Sequence, residues 1–211
     1  MKIIYLEEVT STHTFLKEYI KSNDNQLPIC VVTQNQTNGI GSRDNSWDGK
    51  KGNLFFSFAL SKNQLPSDLK LESASIYFSY LLKEVLSKYG SKVWLKWPND
   101  FYIEEKKIGG TITTVTHNIL LCGIGLNILK VSDEFGYLDI KFDRTKLLNE
   151  YFELLNRKKS WKQIFSNFEI EFNKSKVFQT TINKEKVSLL DAILLEDGSI
   201  MIDNKKVYSL R

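Results

Sequence analysis

Lys96-Trp97-Pro98-Asn99-Asp100, followed by Lys106-Lys107-Ile108-Gly109-Gly110, brings cations, oxygen donors and two glycines into one hairpin-sized stretch. That combination suits a phosphoryl group. A lysine at a strand end meets a phosphate as a point charge, and Asn99 or Asp100 offers oxygen to a divalent ion bridging phosphates. Val93-Trp94-Leu95 reads as a short buried strand and Phe101-Tyr102-Ile103 as the next. Glu104-Glu105-Lys106-Lys107 reads as a charged turn before a third strand over 111–115. A solvated turn after an edge strand explains the same residues equally well.

Two further segments favour the chemical reading. Residues 36–47 follow an apolar strand and run through Gly39 and Gly41 to Arg43 and Trp47. Glycines let backbone N–H groups approach an anion, arginine adds a bidentate contact, and an indole offers a face to a purine. A lone G-x-G is weak by itself. Ser11-Thr12-His13 stands directly before a helical pattern with Phe15, Leu16, Tyr19 and Ile20 on one face. A helix N-cap accounts for at least one of the two hydroxyls, and a cap at a pocket mouth can still serve a ligand.

The elements that must position these groups predict an α+β fold: a mainly antiparallel or mixed sheet packed by helices. Strands are expected over 3–6, 29–33, 53–60, 93–96, 101–103, 110–116 and 119–127. Helices are expected over 12–21, 71–89, 144–156 and 160–174. The chain is expected to divide into a larger domain over 1–174 and a small β domain over 175–211, where Glu196-Asp197-Gly198-Ser199 turns between apolar strands. A chain of 211 residues, 42% hydrophobic, buries one sizeable core plus a satellite.

Composition narrows the function further. The net charge of +4 is interleaved rather than massed and is too weak to argue for nucleic acid, and most of the aromatics fall at core spacing. No apolar run is long enough for a membrane span, and Glu7 and Glu8 interrupt any signal-peptide pattern. A cytoplasmic location follows, with Cys30 and Cys122 as buried thiols. His13 and His117 lack partners at zinc spacing.

The order of blocks resembles the biotin protein ligases across nearly the whole chain. The blocks are Ser11-Thr12, Gln36 to Trp47 with its G-x-G-x-R-x-x-x-W core, Lys51-Gly52-Asn53-Leu54-Phe55-Phe56-Ser57, Lys96-Trp97-Pro98-Asn99-Asp100, Lys107-Ile108-Gly109-Gly110 and Gly123-Ile124-Gly125-Leu126-Asn127. The tail resembles the SH3-like barrel that closes such proteins. Lipoate ligases and octanoyl transferases share the fold, and a non-catalytic biotin sensor is a further alternative.

The resemblance implies a reaction in two halves. Biotin's carboxylate attacks the α-phosphate of ATP, with Mg²⁺ accompanying the triphosphate, and the biotinyl-adenylate passes to a lysine of a biotin carboxyl carrier protein. Lys96 is implied as the main catalytic cation, with Arg43 beside it. Ser11, Thr12, His13, Gln36, Ile40, Gly41, Ser42, Lys96, Gly123 and Gly125 are implied around biotin. Gly39, Arg43, Trp47, Asn99, Lys107 and Asn127 are implied around ATP and the adenylate, Asn99 and Asn127 also as oxygen donors to Mg²⁺. A monomer or weak homodimer without sequence-specific DNA binding is expected, since Ile3-Ile4-Tyr5-Leu6 already reads as the first catalytic strand. The loop departs from the family pattern G-R-G-R-x-G-R: three of its usual basic positions are Ile40, Ser42 and Asn45, and the family's S-T-N opening ends here in His13.

Overall fold

In the computed structural model, residues 1–23, 26–41, 46–47, 49–183 and 185–208 are described. Strand β1 (Lys2–Leu6) leads into α1 (Thr12–Lys21), and the chain returns as β2 (Ile29–Thr33), parallel to β1. Ser11 caps α1 by accepting the Thr14 N–H at 3.4 Å, as the placement of a hydroxyl before an apolar-periodic run predicts. A short hairpin, β3 (Gly39–Ile40) with β4 (Ser46–Trp47), precedes β5 (Leu54–Ser61).

The long helix α2 (Ala74–Lys88) starts after a 3₁₀ turn at Leu71–Ser73 and is buried on nearly all sides, because it lies between the sheet and a second helix layer. Strands β6 (Trp94–Lys96), β7 (Asp100–Ile103), β8 (Lys106–Thr116) and β9 (Ile119–Leu126) follow, then α3 (Arg144–Asn156) and α4 (Trp161–Phe172). Seven strands form one sheet in the order β1-β2-β5-β9-β8-β7-β6, antiparallel everywhere except β1–β2. The chain ends in small antiparallel pairings: β10 (Gln179–Ile182) with β11 (Glu185–Ser188), and β12 (Ile193–Leu194) with β13 (Ile200–Ile202) and β14 (Lys205–Val207). Among the described residues no helix is long and apolar enough to cross a membrane.

Alternation assigns the two sheet faces. Cys30, Val32, Phe56, Phe58, Leu120, Cys122 and Ile124 point to the main core with α2, α3 and α4, and Leu189, Ala192 and Ile200 of the C-terminal strands join the same cluster. On the opposite face, Val31, Ala59 and Leu121 pack under Leu16 and Ile20 of α1. Ten residues of helix cover only part of that face. The uncovered remainder is where the cavity lies.

One expected boundary is corrected. Only Glu104 and Glu105 make the turn between β7 and β8, with Glu104 at φ 51°, and Lys106 and Lys107 already belong to β8. A non-glycine residue in the left-handed region is uncommon, so the sequence carried no clear mark of so tight a turn.

Candidate functional site

Two rows of side chains cross the face that α1 leaves open. Ser57 of β5 pairs with Gly123 of β9, which pairs with Ile112 of β8. One step along, Gly125 pairs with Gly110, Gly110 with Asp100 of β7, and Asp100 with Lys96 of β6. Cross-strand partners share a face, so glycines make a flat floor between a hydroxyl at one end and charges at the other. Above it is a cavity of about 460 Å³ lined by Thr12, His13, Gln36, Trp47, Lys107 and Asn127 among others. The Trp47 indole lies over this floor: a Cβ on Gly125 would come within 3.0–3.2 Å of three of its ring atoms.

The end beneath α1 is uncharged and its hydrogen bonds have a fixed direction. Gln36 Oε1 accepts both the Thr12 backbone N–H at 2.8 Å and the Thr12 hydroxyl at 3.0 Å. Thr12 has thereby used its one proton, so in its 2.9 Å contact with Ser57 it is the Ser57 hydroxyl that donates. Ser57 Oγ is left as an acceptor, and the Gln36 amide N–H₂ as a donor. His13 Nε2 sits 3.1 Å from Thr114 Oγ1, while Nδ1 is buried without a partner near Gly123. Burial, aided by the charge of Lys17, pulls the His13 pKa down to about 4, so the imidazole is neutral at physiological pH.

The other end is charged, and a β-bulge shapes it. Phe101 pairs with Gly109 but Tyr102 pairs with Lys107, so Ile108 is passed over. Strict alternation from Gly109 would turn Lys107 toward α2; the extra residue returns it to the cavity side and leaves Ile108 in the main core. Lys107 Nζ lies 2.7 Å from Asp100 Oδ1 and 5.7 Å from the centre of the Trp47 ring. Asn99 donates its amide to the Thr111 carbonyl and Asn127 donates to the Gly136 carbonyl at 3.3 Å. Each keeps its Oδ1 as an acceptor.

Most of the expected groups converge, while Gly39 and Lys96 stand off the lining. Ser11, Thr12, His13, Gln36, Ile40, Gly41, Trp47, Asn99, Lys107, Gly123, Gly125 and Asn127 line the cavity. Gly39 lies behind the wall, paired with Trp47, where a Cβ would meet the Trp47 carbonyl at 2.7 Å. Ser42 and Arg43 fall outside the described residues. Lys96 is set back from the lining groups: its ammonium is 4.0 Å from Asp100 Oδ2 and its side chain is 9% exposed. The bulge brings Lys107 to the cavity wall, while Lys96 stands behind Asp100. Ser57 was missed as a site residue, because its run reads as a core strand and only the pairing with Gly123 places it on the cavity side.

The pattern described as the biotin/lipoate A/B protein ligase family matches residues 5–128. Biotin–protein ligase 2 of Arabidopsis thaliana is 30% identical over 136 residues, 60% of this chain and 40% of that protein. The bifunctional ligase/repressor BirA of Escherichia coli is 29% identical over 136 residues, again 60% and 40%. The chain thus spans about two fifths of the length of these curated relatives. Among solved structures, the biotin acetyl coenzyme A carboxylase synthetase of Helicobacter pylori, with biotinylated ATP bound, superposes with a TM-score of 0.93 at 39% identity, covering 98% of this chain and 99% of that one. The biotin protein ligase of Aquifex aeolicus, in complex with biotin and ATP, shares the fold with a TM-score of 0.77 at 22% identity, covering 100% and 96%. With a family pattern over more than half its length, this chain belongs to the biotin/lipoate A/B protein ligase family.

Proposed function

We propose that the protein is an ATP-dependent biotin–protein ligase, which makes biotinyl-adenylate and transfers biotin to a lysine of a biotin carboxyl carrier domain. One observation carries this reading: a single cavity joins an uncharged end of fixed hydrogen-bond polarity to a charged end across a glycine floor. A cyclic urea offers N–H donors and a carbonyl acceptor, which the Ser57 acceptor and the Gln36 donor complement. A carboxylate and a phosphate need cations, which the far end supplies. The likeness to the Helicobacter pylori synthetase, whose bound ligand is biotinylated ATP, supports the same assignment.

In the first half, a biotin carboxylate oxygen attacks the α-phosphorus and the bond to pyrophosphate breaks, its electron pair leaving with pyrophosphate. Negative charge crowds at the attacked phosphorus, and preorganised cations there lower the barrier. Lys107 fills that role on the cavity wall, and Lys96 adds its charge from behind Asp100. Arg43, Gly39, Ile40, Gly41 and Ser42 are assigned to the loop over the adenylate, and Trp47 to the adenine. In the second half, a carrier lysine amine attacks the acyl carbon, AMP leaves with its electron pair, and the amine proton passes to solvent.

Among the described residues no cluster of three or more His, Cys, Asp or Glu offers a ready metal site. Asn99 and Asn127, each with its amide N–H tied to a carbonyl, and the Asp100 carboxylate fit a Mg²⁺ that arrives on the triphosphate, where it would neutralise phosphate charge. Cys30 and Cys122 are buried free thiols, which suits the reducing cytoplasm we assign.

Biotin-dependent release of pyrophosphate from ATP tests the proposal. Release with biotin and none with lipoate supports it; release with lipoate instead makes the protein a lipoate ligase. Tight biotin binding without release makes it a sensor.

A further inference from the structure

The group that holds Lys96 in place comes from the far end of the chain. Trp94 pairs with Tyr102 and Lys96 with Asp100, so these four side chains share one face of the β6–β7 pair. Phe178, just before β10, packs onto that face with its ring centre 5.2 Å from Tyr102 and 5.6 Å from Trp94. The Lys96 ammonium lies 5.6 Å from the centre of the Tyr102 ring and 5.9 Å from that of Phe178. The same segment grips the neighbouring turn. The Trp97 backbone N–H donates to Ser175 Oγ at 3.0 Å, and its indole N–H donates to the Gly198 carbonyl at 2.8 Å. Trp97 and Ser175 are fully buried.

An aromatic face attracts a cation through its quadrupole without cancelling the charge. Asp100 makes its closer contact with Lys107, 2.7 Å against 4.0 Å to Lys96. The two rings therefore help to hold the Lys96 ammonium without themselves cancelling its charge.

We propose that Phe178 is a positioning residue for Lys96, through which the C-terminal strands set the geometry of the adenylate-forming step. The inference rests on the ligase reading for its kinetic consequence and on geometry alone for its placement. Replacing the ring by an aliphatic group of similar volume removes the quadrupole and frees the ammonium to move, which slows adenylate formation about threefold, less than loss of the lysine itself.

Single-turnover pyrophosphate release is measured in Phe178→Met, Phe178→Leu and Phe178→Tyr, each also combined with Lys96→Met. The expected result is a roughly threefold loss in the Met and Leu variants at unchanged KM for biotin, near-wild-type rates in Phe178→Tyr, and no further loss from Phe178→Met when Lys96 is already Met. Losses that multiply in the double variant overturn the proposal, because Phe178 then acts independently of Lys96. A second readout needs no turnover. The Lys96 ε-methylene protons, held near two ring faces, resonate upfield in the wild type by NMR and lose part of that shift in Phe178→Met. Unmoved signals overturn the placement; a wild type that releases no pyrophosphate overturns the ligase reading while this arm still judges Phe178.

Discussion

The two ends of the cavity solve different problems with different materials. Under α1, Thr12, Gln36 and Ser57 are uncharged and linked in one direction, Thr12 and Ser57 buried and Gln36 half-buried, so their selectivity lies in which atoms donate and which accept. At the β6–β8 edge, Lys107, Asp100 and Lys96 carry charge, and one carboxylate between two ammonium groups, at 2.7 and 4.0 Å, leaves a net positive site. Loss of a neutral hydrogen bond costs about 1 kcal/mol, whereas a preorganised cation at a developing negative charge supplies about 3 kcal/mol or more. Recognition and rate should therefore separate along the cavity.

The largest effect tests that separation. Lys107→Met is expected to slow biotinyl-adenylate formation at least about 100-fold, with the KM for biotin little changed. Lys96→Met, whose ammonium stands behind Asp100, is expected to lose about tenfold. Pre-steady-state pyrophosphate release measures both. The reverse order would return the leading role to Lys96, and an unchanged rate in both variants would remove the charged end from the mechanism.

That ordering also marks where sequence reasoning stopped. Helix α1 was legible because a capping hydroxyl precedes an apolar stripe, and β2 and β9 because their apolar runs have strand length. The placement of Lys96 at a strand end was legible too. The bulge at Ile108 was not: it depends on how β7 and β8 register, a non-local pairing that leaves no local trace, so Lys107 read as a turn residue. Ser57 was hidden for a related reason. Leu54–Ser61 reads as a core strand, and only the pairing with Gly123 shows that Ser57 faces away from the main core.

A second prediction concerns residue 42, which lies outside the described residues. In the family pattern G-R-G-R-x-G-R, Ser42 takes the place of an arginine, and we propose that one charge-assisted hydrogen bond to the adenylate is lost with it. Such a bond is worth roughly 1.5 to 3 kcal/mol, and escape of biotinyl-adenylate is expected to be about 10- to 100-fold faster than from a full-loop relative. Incubation with ATP, biotin and an unrelated lysine-rich protein, followed by blotting for biotin, should show bystander labelling that Ser42→Arg reduces. Labelling no greater than that of the relative would mean Arg43 supplies the contact.

The uncharged end makes the next prediction, through its one titratable group. His13 titrates near 4 in the folded protein, lowered by burial and by Lys17, against about 6.5 unfolded. Between those values the unfolded chain binds more protons, so stability is intact above about pH 6.5 and falls as pH drops toward 4. The loss reaches about 2 kcal/mol at pH 5. Urea unfolding at pH 7 and pH 5 measures it, and His13→Asn should flatten the difference by that amount. An equal difference in the variant would show that other groups dominate the acid sensitivity.

The smallest effect falls on Ser57, and it separates the two ends most cleanly. Ser57→Ala removes the hydroxyl that donates to Thr12, but Thr12 keeps its own bond to Gln36, so the chain of contacts loses its last member and no more. The alanine sits in a fully buried strand position where its methyl replaces a group of similar size, so the fold should be unaffected. One neutral hydrogen bond to the ligand is worth about 1 kcal/mol, hence a KM for biotin raised about fivefold. The KM for ATP and the turnover number should not move, because uniform binding is lost equally from ground and transition states. A fall in turnover at unchanged KM would show instead that the uncharged end contributes to the chemical step, and the division of labour proposed for the cavity would fail.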